Sequence, residues 1–219
     1  MIQTALVVMR KDLLIEWRSR VVAWQIVPFG IISLVLCALA VGPKISTMRH
    51  AAPGLFYLVV LLIALLTIGR SQTIEARSGT RTSIKMLGLD PGGVFLGKFV
   101  ALLLELCLMS SLMLVGAVVG LHAPLHGTLL AIPSIALALA AMSAGGCIYG
   151  SLLGDAKTHA TLLPVLVLPP FAAVLIAGEK AFAGTISGQA PWRWIGFLAG
   201  VALAYMAVGV LLYGIAEES

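Results

Sequence analysis

Charged residues are scarce in this 219-residue sequence: they make up 11% of the chain, whereas 60% of the residues are hydrophobic. Soluble domains carry about 25% charged residues, so the composition excludes a soluble globular protein and also a disordered one. The sequence also contains no GxxxxGK[ST] phosphate-binding loop and no HExxH or GxSxG motif. These absences predict a membrane protein that does not bind ATP through a P-loop and has neither of these hydrolase motifs.

Long apolar runs make up most of the chain. Six of them are long enough to span a bilayer as helices, because about 20 residues cross a hydrocarbon core of roughly 30 Å. They cover about 21–41, 52–69, 94–121, 127–153, 160–177 and 194–215. They are uniformly apolar and about twice as long as the strands of a membrane barrel. The sequence therefore predicts an all-α integral membrane protein whose six transmembrane helices form a single domain, 1–219.

The distribution of positive charge predicts that both termini lie in the cytoplasm. Short segments that are rich in Lys and Arg stay on the inner side of the membrane. With the N-terminus inside, the inner segments carry Arg10, Lys11, Arg18, Arg20, Arg70, Arg77, Arg81, Lys85, Lys98 and Lys157, and the outer segments carry Lys44, Arg49, Lys180 and Arg193. No basic patch with interleaved aromatic residues indicates nucleic-acid binding. The net charge of +5 is therefore interpreted as topology and contact with anionic lipid.

Residues 3–20 are too polar to span the membrane, but their apolar residues recur at helical spacing. Leu6, Leu13 and Trp17 are among the apolar positions, and Arg10 and Arg18 are among the basic ones. This pattern predicts an N-terminal amphipathic helix, within 1–20, that lies in the membrane interface. The alternative is that the segment simply begins a long first helix.

The longest segment predicted to be cytoplasmic runs from residue 70 to residue 93, between the second and third spans. Residues 73–87 can form a short amphipathic helix, and the run Asp90-Pro91-Gly92-Gly93 is typical of a turn. We interpret this segment as a candidate docking surface for a partner protein. An ordinary solvated loop is the alternative.

Glu105 is the one carboxylate well inside a predicted span, near the middle of the third helix. A charge in lipid is expensive and usually faces a bundle interior or a cavity. Glu105 is therefore a candidate for helix pairing or for a translocation pathway. The alternative is that it lies nearer an interface than the span boundaries imply.

The fifth span contains Pro164, Pro169 and Pro170. Each proline removes a helical hydrogen bond, and neighbouring helices must satisfy the freed carbonyl groups. A kinked or broken fifth helix is therefore predicted.

No metal site is predicted. His122 and His126 are four residues apart in a short outer loop, but Pro124 between them disfavours a shared helical face. Cys37, Cys107 and Cys147 all fall inside predicted spans and are interpreted as small packing residues.

These features together resemble the permease subunit of an ABC-2-type exporter, and more closely the haem exporter B (CcmB) family of cytochrome c maturation. The similarity extends over essentially the whole chain. The residues that carry it are Arg10-Lys11-Asp12-Leu13, Glu16-Trp17-Arg18-Ser19-Arg20, Ala52-Pro53-Gly54, Glu75, Gly79, Pro91, Gly97-Lys98 and Leu163-Pro164-Val165-Leu166-Val167-Leu168-Pro169.

The resemblance implies a non-catalytic membrane subunit of the bacterial plasma (inner) membrane. Its implied partners are an ATPase subunit (CcmA-like), a haem-handling membrane protein (CcmC-like), a small membrane subunit (CcmD-like) and a haem chaperone (CcmE-like). ATP hydrolysis by the partner would release the haem-loaded chaperone, and no cofactor is expected to bind this chain directly. Two copies of the chain per complex are expected, one for each ATPase. The ATPase-coupling helix is assigned to the cytoplasmic loop, with Glu75, Arg77, Gly79, Arg81 and Lys85.

Three other functions stay open at the level of sequence. The first is the permease of a general ABC-2-type exporter for lipid, drug or glycan. The second is an intramembrane enzyme that uses Glu105 or the outer histidines. The third is a purely structural scaffold subunit.

Overall fold

The computed structural model describes residues 1–19, 22–78, 90–124, 128–129, 131–152 and 159–218. This part of the chain contains no strand; it forms seven α-helices and a π-helical segment, Val22–Ile26. The α-helices are α1 (Ile2–Ser19), α2 (Val27–Val41), α3 (Ile45–Ser78), α4 (Pro91–Gly120), α5 (Ile132–Leu152), α6 (His159–Ser187) and α7 (Trp192–Glu218). The predicted all-α class is confirmed.

Six helical stretches are long and apolar enough to cross a membrane, as predicted. They are Trp24–Val41, Ile45–Thr73, Pro91–Gly120, Ile132–Ser151, Val165–Ser187 and Trp192–Tyr213. The observed helices are longer than several predicted spans: α3 begins before 52 and ends beyond 69, and α6 continues past 177. The span predicted from the sequence was shorter because polar residues such as Arg49 and Glu75 flank its apolar part. A helix can continue beyond the apolar part because its backbone hydrogen bonds are internal.

The start of α4 corrects the turn that was predicted for 90–93. Asp90 is the N-cap, and its Oδ2 accepts a hydrogen bond of 2.8 Å from the Gly93 backbone N–H. Pro91 occupies the first helical position, where its missing N–H and fixed φ are tolerated. The same residues therefore begin the third span three positions earlier than 94.

The spanning helices alternate in direction between two ends of the bundle. We call the end where α4 begins, at Pro91, the lower end, and the end where it finishes, at Gly120, the upper end. Gly178 of α6 packs against Tyr57 of α3, and Gly209 of α7 packs against Phe95 of α4, which fits antiparallel neighbours. Gly146 and Gly150 of α5 pack in order against Ile68 and Gln72 of α3, so α5 runs parallel to α3. Consequently α1 begins and α7 ends at the lower end, which is the end predicted to be cytoplasmic.

The core lies between α3, α4, α5 and α6. Its largest fully buried side chains include Phe56, Tyr57, Met109, Met142 and Phe182. Phe56 packs edge to face against both Tyr57 and Phe182, at ring-centre distances of 5.3 and 5.9 Å. In lipid, helices associate through such close packing rather than through expulsion of water.

The amphipathic helix α1 runs along the first half of α4. Its start contacts Gly93, its middle contacts Gly97, and its end lies near Glu105, so both helices advance in the same direction. Val8 faces this contact and is buried, whereas the outer face of α1 exposes apolar residues together with basic ones: Ile2, Leu6, Val7, Leu14, Arg10 and Arg18. The amphipathic helix is therefore present as a helix separate from α2, and its position in the membrane interface stays a prediction.

Candidate functional site

The predicted coupling residues fall at the lower end of α3 and in the segment that follows it. Glu75 and Arg77 belong to the last two turns of α3, which ends at Ser78. The predicted helix over 73–87 therefore does not begin as a separate element, because its first residues continue the second span. Gly79, Arg81 and Lys85 lie outside the described residues. The coupling role of all five residues stays a prediction.

A polar cluster occupies the lower half of the bundle, where α1, α3 and α4 meet. Its central contact is an ion pair between Glu16 of α1 and Arg70 of α3. The side chains are largely buried, at 16% and 18% exposure. Arg70 was assigned to the cytoplasmic loop in the sequence, but it lies on a spanning helix and its charge is used inside the bundle.

Glu105 of α4 belongs to this polar cluster. It interacts electrostatically with Glu16 and with Arg70, and its Oε1 atom is buried without a hydrogen-bond partner among the described residues. The predicted bundle-facing carboxylate is thus located next to a cationic partner, Arg70, that sequence spacing did not reveal. Arg70 lies near the lower end of its helix, and the depth of Glu105 in the membrane stays a prediction.

The neighbours of α4 show where Glu105 lies relative to the other helices. Gly30 of α2 packs against Met113 of α4, and Glu16 of α1 lies near Glu105 of α4. Glu105 is therefore closer to the lower end of α4 than the contact between α2 and Met113. The first candidate membrane span begins at Trp24, which lies between Glu16 and Gly30 in the sequence. An α-helix of 30 residues is about 45 Å long, which exceeds the roughly 30 Å hydrocarbon core. The whole of α4 therefore does not fit within the hydrocarbon core.

A cavity of about 50 Å³ adjoins the polar cluster. Glu16, Gln72, Lys98 and Glu105 all line it, from three different helices. A cavity of this size and polarity is large enough to admit a few water molecules. The arrangement is suited to holding charges and protons between helices.

Two lysines at this cavity, Lys11 and Lys98, have contacts of their own. Lys11 Nζ lies 3.0 Å from Asp12 Oδ1 on the same helix. Lys98 Nζ lies 5.9 Å from the centre of the Tyr213 ring, which brings α7 to the edge of the cluster. The Tyr213 hydroxyl in turn lies 3.5 Å from the carbonyl oxygen of Cys147 on α5.

Burial raises the pKa of the Glu16 carboxyl above its usual value. Arg70 opposes this shift by favouring the charged form, and the nearby Asp12 adds to it. Desolvation outweighs the ion pair because a carboxylate loses more hydration in the bundle than one guanidinium restores. The Glu16 carboxyl at the contact between α1 and α3 is therefore protonated more readily than a carboxyl in water.

Glycines allow α1 to approach α4 closely. A Cβ at Gly93 would lie 2.7 Å from the carbonyl oxygen of Met1, and one at Gly97 would lie 2.7 Å from that of Ala5. These distances are too short for any side chain, so both positions need glycine. The spacing of four residues places both glycines on one face of α4.

The remaining sequence predictions concern the prolines of the fifth helix, the outer histidines and metal binding. Helix α6 runs without interruption through Pro164, Pro169 and Pro170, so the fifth helix is not broken, and a kink stays a prediction. His122 adopts a positive φ of 54° and is exposed, and His126 lies outside the described residues. Among the described residues, no group of three His, Cys, Asp or Glu side chains is arranged to hold a metal.

Sequence reasoning did not single out Glu16 or Arg70. Glu16 was named only within a run that carries the family resemblance, and Arg70 only as one of the inner positive charges; neither was given a role. Glu16 is acidic and Arg70 is basic, and each borders an apolar run of the sequence. Both were predicted to lie on the same side of the membrane. That charge complementarity was the available signal, but it does not say which helices are neighbours.

Comparison with known proteins adds to this geometry. The family described as "CcmB protein" matches residues 3–217, which is nearly the whole chain and includes α1, all six spans and the polar cluster. The chain belongs to the CcmB family. The resemblance seen in the sequence is confirmed.

Two curated CcmB relatives are similar over most of their length. One, "Heme exporter protein B" of Paracoccus denitrificans (strain Pd 1222), is 29% identical over 187 residues, which cover 80% of this chain and 82% of that protein. Another, "Heme exporter protein B" of Pseudomonas aeruginosa (strain PAO1), is 28% identical over 211 residues, covering 91% and 90%. This CcmB-family chain is thus a multi-pass membrane protein comparable in extent to both relatives.

Proposed function

We propose that this chain is the permease subunit of an ABC transporter complex that acts in haem delivery for c-type cytochrome biogenesis. The observation that carries the proposal is the family match over 3–217 on a chain with six spanning helices. The printed names of two relatives supply the haem cargo. The sequence has no P-loop, so the ATP must be bound and hydrolysed by a separate subunit.

The lower end of the bundle is the proposed seat for that ATPase. Helix α3 continues to Ser78, beyond the stretch that is apolar enough to span, and Glu75 and Arg77 lie in this extension. A helix that projects from a spanning segment can transmit movement because it is rigid along its length. Glu75, Arg77, Gly79, Arg81 and Lys85 are the proposed coupling residues.

The polar cluster is proposed to make α1, α3 and α4 move as one body. Glycine packing fixes α1 on α4, and the pair between Glu16 and Arg70 ties α1 to α3. A displacement of the lower end of α3 by the ATPase would then move all three helices together, rather than bend α3 alone. Rigid-body rocking of this kind is an established type of transport motion.

The complex is proposed to lie in the bacterial inner membrane with both termini of this chain in the cytoplasm. It would contain two copies of this chain and two ATPase subunits, together with a CcmC-like haem-handling protein and a small CcmD-like subunit. ATP hydrolysis would release a haem-loaded CcmE-like chaperone. This chain itself is proposed to be non-catalytic.

Co-purification tests the proposal. The tagged full chain is extracted from its native membranes in mild detergent, and the captured chains are identified by mass spectrometry with a haem absorbance scan. We expect an ATPase subunit together with a haem-handling membrane protein. An ATPase without haem or maturation partners would replace the haem cargo by that of a general exporter, and the absence of any ATPase would contradict the permease assignment.

A further inference from the structure

An apolar groove opens between α2 and α4 in the upper half of the bundle. Its volume is about 490 Å³, within the range of small-molecule binding sites. Leu34, Met113 and Gly116 lie where the two helices touch, and Val35 and Gly120 line the groove further along. The groove shares no lining residue with the cavity at the polar cluster and takes no part in the proposed coupling.

Glycines keep the groove open. A Cβ on Gly116 would overlap Leu34, so α2 and α4 touch at this level. A Cβ on Gly120 or on Gly42 would meet no atom within 4 Å, so there is open space beside both of these lining residues.

The length of the groove matches one leaflet of a bilayer. Its lining on the first span runs from Ile31 to Gly42, which corresponds to about 16 Å along a helix. Half of a hydrocarbon core of roughly 30 Å is about 15 Å. An extended acyl chain that enters at the upper surface would therefore lie along the whole groove.

Two cationic residues lie next to the lining of the groove at its mouth, the upper end. Lys44 directly follows Pro43 and Arg49 directly follows Met48, and both basic residues are exposed. Glu179, a carboxylate at the same end, forms an ion pair with Lys180. The mouth is therefore suited to an anion, whereas the groove itself is suited to a hydrocarbon.

We propose that this groove binds one acyl chain of an anionic phospholipid, whose phosphate is held at Lys44 and Arg49. The combination of an apolar cleft one leaflet deep and a cationic mouth fits this amphipathic shape. The proposal is independent of the transported species.

Native mass spectrometry of the full chain, purified in detergent with its co-purifying subunits, tests the site. The probes are phosphatidylglycerol and phosphatidylcholine with identical acyl chains. We expect wild-type protein to retain phosphatidylglycerol preferentially. Gly120→Leu fills the groove and is expected to reduce the bound phosphatidylglycerol about tenfold, whereas Gly200→Leu, at an open and exposed glycine of α7, leaves it unchanged.

A second pair of variants guards against a folding defect at Gly120. Val35 lines the groove, so Val35→Trp is expected to displace the lipid, and Val208→Trp, at an exposed valine of α7, is its control. Lys44→Gln with Arg49→Gln is expected to lower the preference for phosphatidylglycerol over phosphatidylcholine at least about fivefold. Lys180→Gln with Arg193→Gln is the charge control.

Three results would overturn the proposal. The first is equal retention of both lipids by wild type and by the groove variants. The second is a groove variant that changes the oligomeric mass without changing bound lipid, because the groove would then be an interface between copies. The third is a groove variant that abolishes haem absorbance but retains phosphatidylglycerol, because the occupant would then be haem.

Discussion

Glu16 on α1 pairs with Arg70 on α3, and Glu105 on α4 lies beside the pair. Three helices that are distant in sequence are thus joined by charge at one level of the bundle. Charges within a membrane domain are expensive unless they are paired, and here an acidic helix residue from outside the spans supplies the partner for a basic one inside a span. The amphipathic helix is therefore part of the permease bundle.

Removal of the Arg70 side chain should weaken the polar cluster that joins α1, α3 and α4. Arg70→Met leaves Glu16 and Glu105 without their shared partner, and we expect a loss of about 3 kcal/mol in unfolding free energy, as for other buried pairs that are broken on one side. The unfolding free energy is measured by titrating the purified chain in detergent with a denaturant. Lys180→Met, in the more exposed pair with Glu179, should change stability by less than about 0.5 kcal/mol.

A double-mutant cycle separates the pair from its surroundings. Glu16→Gln should recover part of the stability lost in Arg70→Met, because one of the unpaired carboxylates is removed. Additive effects of the two substitutions would contradict the described ion pair.

The stability of the junction should depend on pH through Glu16. The pKa of Glu16 is raised in the folded protein, so the folded state binds this proton more tightly than the unfolded chain does. Its contribution to stability is therefore present at low pH and is lost as the pH rises through the raised pKa. Melting temperatures measured from pH 4 to pH 8 should fall more steeply in wild type than in Glu16→Gln. Glu179→Gln, at an acidic residue outside the polar cluster, is the control and should keep the wild-type slope; a wild-type slope in Glu16→Gln would contradict the assignment.

The close approach of α1 to α4 should not tolerate a side chain at Gly97. Gly97→Val places a Cβ against the backbone of Ala5 and next to Val8, and overpacking of this kind costs about 1–3 kcal/mol. We expect faster proteolysis of α1 together with lower thermal stability. Gly69→Val is the matched control, since a Cβ at Gly69 meets nothing within 4 Å. Equal protease resistance of the two variants would show that α1 is not held by this contact.

Coupling should depend on the lower end of α3. Glu75→Arg reverses a charge on the proposed ATPase seat, and we expect the amount of co-purified ATPase to fall at least about tenfold while the chain itself remains in the membrane. Glu179→Arg, at the upper end of α6, is the control for charge reversal and should retain the ATPase. Unchanged ATPase recovery with Glu75→Arg would place the contact elsewhere.

Most of the fold was predictable because the lipid environment restricts it. Apolar length gives the number of spans, and the excess of Lys and Arg on one side gives the expected orientation. The ends of the helices were not predictable in the same way. Asp90 and Pro91 are typical both of a turn and of a helix start, and only the hydrogen bond from Gly93 distinguishes the two.

The polar cluster shows where sequence reasoning stops. Glu105 stood out because a carboxylate in an apolar run is unusual, but Arg70 and Glu16 did not, because each borders a polar segment in which charge is ordinary. Their meeting depends on α1 running along α4, and that depends on the absence of side chains at Gly93 and Gly97. Which helices are neighbours is a property of three-dimensional packing.

The most direct test of the account is haem staining of c-type cytochromes in the native organism after deletion of this gene. We predict that covalently bound haem disappears from these cytochromes, that wild-type chain restores it, and that Glu75→Arg does not, although the protein is present in the membrane. Normal levels of covalently bound haem in the deletion strain would contradict the proposed role in haem delivery.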